Sequence, residues 1–172
     1  MFQKILVAMD SSPMGEALAE QALALAQAHQ AHLMLLHVLS TEEENSPIPI
    51  PAFADAMYWA PGTAIDVQVW HEQWQRYENE CLEQLQERTA AANRAGVNAE
   101  FRQISGSPSR VICQFAQLWE ADLIIVGNRG RTGLSEFFLG SVSNYVLHHA
   151  PCSVLTVKVP VSVAAKPTAQ HA

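Results

Sequence analysis

The sequence predicts an α/β domain built as a doubly wound parallel sheet with helices on both faces. Two observations carry that expectation. Short apolar runs alternate with segments whose apolar residues recur at helical spacing, giving the order βαβαβαβαβ. Residues 5–9 and 123–126 are apolar without a break, and 33–39 is apolar but for His37, the pattern of strands buried on both faces.

The elements follow in order. Residues 5–9 form the first strand. Ser12-Pro13 opens a helix, with Ser as the cap and Pro at the first helical position. Leu18, Ala22, Leu25 and His29 then recur at helical spacing and face a sheet. Residues 33–39 form the second strand. Residues 41–62 break the pattern with Glu42-Glu43-Glu44 and with Pro47, Pro49, Pro51 and Pro61. A long helix follows, capped by Thr63 with Asp66 three residues on. Its stripe is Trp70, Trp74, Tyr77, Cys81, Leu85 and Ala92, and Gly96 ends it. Val97, Ala99 and Phe101 alternate with Asn98, Glu100 and Arg102, the period of an edge strand or one with a wet face. Ser107-Pro108 starts a helix carrying Val111, Phe115 and Leu118. Residues 123–126 are the fourth strand and 142–149 a short helix. The last strand, 152–159, places Val154, Thr156 and Lys158 on one face and Leu155, Val157 and Val159 on the other.

At 172 residues the chain suits a single domain over 1–159, with an insertion at about 41–68 and a flexible tail at 160–172 rich in Ala, Pro, Thr and Gln. A net charge of −7 argues against nucleic acid as a partner, and no apolar run is long enough to span a membrane. Met1-Phe2-Gln3-Lys4 runs into a strand without a signal-peptide layout, which reads as cytoplasmic. Cys81, Cys113 and Cys152 are an odd set at unrelated spacings and read as reduced core thiols. The seven histidines show no metal-ligand spacing; His29, His32, His148 and His149 lie at helix ends, and His71 has no convergent partner. The aromatic stripe of the long helix reads as core rather than as a stacking platform.

The most informative stretch is Gly127-Asn128-Arg129-Gly130, nine residues, then Gly140-Ser141. A buried strand precedes it and a helix follows. Glycine permits close backbone approach, and a helix start offers unpaired N–H groups at a positive dipole end. That combination suits phosphate. Asp10, at the end of the first strand, is placed to accept ribose hydroxyls or to hold Mg²⁺ bridged to phosphates.

The spacing Gly-x2-Gly-x9-Gly-Ser resembles the nucleotide-binding signature of the universal stress protein family, in its ATP-binding branch. Lys4-Ile5-Leu6-Val7-Ala8-Met9-Asp10-Ser11-Ser12 is similar to that family's first strand and turn, His37-Val38 to the end of its second strand, and Ala150-Pro151-Cys152-Ser153-Val154-Leu155-Thr156-Val157 to its last strand. The resemblance covers about 1–40 and 70–160 and leaves out 41–68. It implies a five-stranded Rossmann-like sheet in the order 3-2-1-4-5, with ligands in the crevice where the winding reverses. It implies nucleotide contacts from Ala8, Met9, Asp10, Val38, Val126, Gly127, Arg129, Gly130, Gly140, Ser141, Val142 and Ser143. A plain turn for Asp10 and a plain helix cap for Ser141 are the competing readings. The ligand expected is ATP, with AMP or a cyclic adenine nucleotide using the same contacts, and Mg²⁺ at Asp10.

The resemblance further implies a homodimer through strand 5 (Val154, Leu155, Thr156, Val157), acting as a stress or signalling module with protein partners the sequence does not name. The alternatives are a slow ATP-hydrolysing enzyme and a nucleotide-independent, chaperone-like protein. The first lacks a Gly-x4-Gly-Lys-Ser/Thr loop and an evident base, so little or no hydrolysis is expected and no catalytic residue is assigned. For residues 41–68, with Phe53, Met57, Tyr58 and Trp59, the expectation is a cover over the site or a part of the dimer contact.

Overall fold

The computed structural model describes residues 1–43, 45–47, 67–128 and 140–158. Nine elements run in the predicted order: β1 (Lys4–Met9), α1 (Pro13–His29), β2 (His32–Leu39), α2 (Val67–Arg94), β3 (Ala99–Ser105), α3 (Pro108–Trp119), β4 (Leu123–Gly127), α4 (Ser141–His149) and β5 (Ser153–Val157). The strands form one parallel sheet in the order β3-β2-β1-β4-β5. The cap Thr63 and its partner Asp66, the apolar cluster Phe53 to Trp59, the loop residues Arg129, Gly130 and Arg131, Val159 and the tail lie outside the described residues.

The pleat sorts the core into two layers. Ile5, Val7, Leu33, Leu35, Leu123, Ile125 and Val157 face Leu18, Ala22 and Ala26 of α1 and Leu85 and Ala92 of α2. Leu6, Met34, Leu36, Val38, Ile124 and Val126 face Ile112 and Ala116 of α3 and Val146 of α4. Period-two alternation within each strand therefore feeds two cores, which is why 5–9 of β1 and 123–126 of β4 are apolar without interruption and β2 is apolar but for His37 beyond its first residue. Parallel strands joined by right-handed crossovers put the helices of one winding direction on one face and those of the other direction on the opposite face. β1 and β4 are the adjacent pair between the two directions.

Local chemistry sets the element boundaries. Ser12 caps α1, its hydroxyl accepting from the Gly15 N–H at 3.4 Å, and Pro13 occupies the first turn. Gly96 ends α2 with φ +84°, a conformation that favours glycine. Two helix stripes turn slightly from the expected ones. In α1, Ala26 is buried and Leu25 only half-buried. In α3, Ile112 and Ala116 are buried, whereas Leu118 is 80% exposed. Both sets in α3 have helical spacing. The sheet takes the face with small Ala116, which lets the helix lie close. β5 ends at Val157, leaving Lys158 exposed beyond the strand.

Gly15 links helix and sheet. A Cβ there would fall 2.1 Å from the Asp10 carbonyl oxygen and 2.9 Å from Asp10 Oδ1. Helix propensity alone predicts that Gly15→Ala stabilises the protein by about 0.5–1 kcal/mol. The clash predicts the opposite sign, a loss of about 1–3 kcal/mol as for an overpacked core. Urea denaturation of the two proteins distinguishes them, and a gain in stability would contradict the packing argument.

Candidate functional site

At the carboxyl ends of β1 and β4 the chain leaves toward opposite faces of the sheet, and a cleft of about 610 Å³ opens between the two exits. β1 and its turn supply Ala8, Met9 and Asp10, and β2 supplies Leu36 and Val38. β4 ends in Val126 and Gly127, and the start of α4 adds Gly140, Ser141, Val142 and Ser143. Every sequence-selected residue that the structure describes thus lines one cavity, although the motifs are more than a hundred residues apart. Arg129 and Gly130 lie outside the described residues.

The walls are unequal in chemistry. Leu36, Val38, Ile112 and Val126 give one side an apolar surface. The acidic residues Asp10, Glu42 and Glu43 line it elsewhere, and among the described lining residues there is no Lys or Arg. Asp10 is tied into its turn: its Oδ1 accepts from the Ser12 N–H at 3.1 Å and from the Ser12 hydroxyl at 2.5 Å. The turn role weighed for Asp10 is therefore present in the geometry. It does not exclude a ligand role, because a carboxylate has further acceptor capacity.

At α4 the cap is Gly140 and not Ser141, which is the first helical residue. The Gly140 carbonyl accepts from the Asn144 N–H at 2.9 Å and from the Ser143 hydroxyl at 3.0 Å. Ser143 is 2% exposed and its hydroxyl proton is committed to that bond. What the first turn offers to the cleft is its N–H groups, which have no intrahelical acceptor.

Sequence reasoning passed over several lining residues. Leu36 lies two residues before Val38 and shares its face by the period of the strand, a signal that was available. Met14 and Leu18 reach the cleft from α1 and Pro108 from α3, where no spacing rule points to them. A Cβ on Gly127 would meet Leu18 Cδ1 at 2.9 Å and Met14 Sδ at 3.0 Å, so this glycine serves packing against α1 as well as the cleft.

On the α2 side of β2 lies a second polar group that the spacing did not reveal. His37 Nε2 donates to Glu43 Oε1 at 2.9 Å, and the side chains are 4% and 9% exposed. The Tyr77 hydroxyl donates to Glu43 Oε2. Gln103 Nε2 lies 3.3 Å from His37 Nδ1, which leaves Nε2 to carry the ring proton. Burial, and then the bond to Glu43, push the Tyr77 phenol far above its ordinary range. Burial also pushes the Cys81, Cys113 and Cys152 thiols up, and all three are free.

Fold and cleft define a doubly wound α/β protein with a ligand-sized opening at the point where the winding reverses. The family model "Universal stress protein family" matches residues 1–158, and the chain belongs to that family. The match spans 41–68, the segment that the sequence resemblance left out. A universal stress protein of Synechocystis is 46% identical over 106 residues, covering 62% of this chain and 98% of that protein. A second one from the same organism is 36% identical over 157 residues, covering 91% and 98%. Among solved structures, the universal stress protein UspA of Lactobacillus plantarum has a TM-score of 0.67 at 26% identity, covering 91% of this chain and 97% of that one. A universal stress protein in complex with cAMP has a TM-score of 0.59 at 22% identity, covering 91% and 97%. A family member from Arabidopsis thaliana with AMP bound has a TM-score of 0.59 at 21% identity, covering 94% and 94%. No helix of the described residues is long and apolar enough to cross a membrane.

The Ser143 bond gives a local test. Ser143→Ala removes the hydroxyl that donates to the Gly140 carbonyl and should cost about 1 kcal/mol, measured by urea denaturation. Unchanged stability would mean that the hydroxyl does not hold the start of α4.

Proposed function

We propose that the protein binds an adenine nucleotide, ATP in the first instance, in the β1/β4 cleft, and acts as a homodimeric stress or signalling module with little or no hydrolysis. The observation that carries this reading is the convergence of the Gly140–Ser143 helix start, the β4 end and Asp10 on one cavity. Its volume lies in the ordinary range for small-molecule sites, about 300–1,000 Å³. The apolar wall of Leu36, Val38 and Val126 suits a purine, and the first-turn N–H groups of α4 suit phosphate. The cAMP- and AMP-bound members of the family support the choice of ligand class.

Mg²⁺ belongs to this proposal. A cavity whose lining includes the acidic residues Asp10, Glu42 and Glu43 and no Lys or Arg among the described residues is a poor host for a bare polyphosphate and a better one for its cation complex. Asp10 is the residue proposed to hold the ion, which would neutralise charge on the phosphates. Slow turnover is proposed from the sequence, which has no Gly-x4-Gly-Lys-Ser/Thr loop and no evident base to orient water. Cytoplasmic residence is part of the proposal and rests on the sequence reading.

The dimer reading rests on the edge. β5 is the outer strand next to β4, and an open edge with apolar residues needs covering. Leu155 on β5 is 37% exposed and Leu147 on α4 is 47% exposed. A two-fold partner strand along Val154, Leu155, Thr156 and Val157 would cover both the backbone and Leu155.

Calorimetry tests the cleft. Gly140→Val should abolish ATP binding while leaving the circular dichroism spectrum unchanged; wild-type affinity in this variant would sink the phosphate site. Asp10→Ala should weaken ATP binding by about 1–3 kcal/mol in Mg²⁺. The difference should vanish when Mg²⁺ is withheld from both proteins, and equal affinity with Mg²⁺ present would leave Asp10 with its turn role alone. For the edge, Leu155→Pro should give monomer or aggregate by light scattering, and a monomeric wild type at micromolar concentration would refute the dimer.

A further inference from the structure

We propose that His37, Glu43 and Cys81 form a zinc-binding site on the α2 side of β2, adjoining the proposed nucleotide cleft through Glu43. Their ligand atoms all lie within 4.8 Å of one another. Tetrahedral zinc, with bonds of about 2.0–2.3 Å, sets its ligand atoms about 3.3–3.8 Å apart. To reach that spacing the His37–Glu43 pair, at 2.9 Å, would open slightly and a pair at the 4.8 Å limit would close by about 1–1.5 Å. The site joins three segments that are distant along the chain: His37 on β2, Glu43 on the turn after it, and Cys81 in the middle of α2.

The donor set selects the ion. Imidazole, carboxylate and thiolate together match zinc, whereas magnesium and calcium take oxygen ligands and copper(I) takes sulfur. Charge also balances: Zn²⁺ with one carboxylate and one thiolate is neutral, which a buried site requires. Burial of the group is extensive, with Cys81 5% and His37 3% exposed. The Tyr77 hydroxyl, already against Glu43, or a water completes the fourth position.

Protons balance as follows. Without the ion, the His37 ring proton sits on Nε2 and is donated to Glu43 Oε1, while Gln103 Nε2 donates to Nδ1. On binding, zinc takes the Nε2 lone pair and the ring proton moves to Nδ1. Gln103 Nε2 also donates to the Glu78 carbonyl at 3.2 Å, so the amide flip that turns the Gln103 oxygen toward the Nδ1 proton gives up that bond in exchange for the outer partner of the imidazole. Glu43 binds as the carboxylate, and the Cys81 thiol releases one proton to solvent. Because Glu43 also lines the nucleotide cleft, the ion would pin one wall of that cleft to α2.

The test uses the full chain, treated with chelator and free of nucleotide, titrated with Co²⁺ as the spectroscopic probe. One equivalent should bind, with a thiolate-to-cobalt charge-transfer band and d–d bands of tetrahedral intensity, and stoichiometric Zn²⁺ should displace it. The band should persist in the Cys113→Ala/Cys152→Ala protein and disappear in Cys81→Ser. His37→Gln should weaken Zn²⁺ binding by more than about tenfold, the lower bound for losing even an outer-shell partner. Added Zn²⁺ should also raise the melting temperature of the wild type but not of His37→Gln, a readout that does not depend on Cys81→Ser folding. A wild type with no thiolate band, or a band that survives Cys81→Ser, would overturn the proposal and leave a hydrogen-bonded network alone.

Discussion

Everything in this molecule follows from the position of β1. It is hydrogen-bonded along both edges, to β2 and to β4, and Ile5, Leu6 and Val7 are fully buried between two layers of helices. A parallel strand in that position must hand the chain to a helix on one face, while its neighbour β4 hands it to the other. The sheet cannot close over the gap between the two exits. The cleft is therefore a consequence of chain winding, and the side chains only decide what it can hold.

Two helix starts give that opening its character. On the β1 side, Ser12 donates to Asp10 and accepts from Gly15, and the missing Cβ of Gly15 lets α1 press against the Asp10 carbonyl. On the β4 side, Gly140 caps α4 with its carbonyl held by Ser143 and Asn144. One rim carries carboxylates and the other carries backbone N–H groups. The proposed ligand, an anion that brings its own cation, would have a partner at each rim.

The fold was legible because its signals are local and repeated. Continuous apolar runs gave the buried strands, Ser-Pro pairs gave two helix starts, and Gly96 gave the end of α2. Strand order entered through family resemblance, since alternation alone does not order a parallel sheet. Face selection was less legible: Val111, Phe115 and Leu118 have the same spacing as Ile112, Ala116 and Trp119, and only docking on the sheet chooses between them. The cleft residues that belong to motifs were visible, and those that reach it by packing, such as Met14 and Pro108, were not. The His37, Glu43 and Cys81 group was invisible for the same reason: its members meet only when α2 crosses β2, and no spacing rule records that encounter.

The central claim is that the cleft is a nucleotide site. It is tested most directly by purifying the protein without added ligand, denaturing it, and identifying what is released by mass spectrometry, with ATP, AMP and cAMP then offered to the stripped, refolded chain. The account predicts an adenine nucleotide, either released or rebound at one per chain. A preparation that releases no nucleotide and binds none of the three would contradict it.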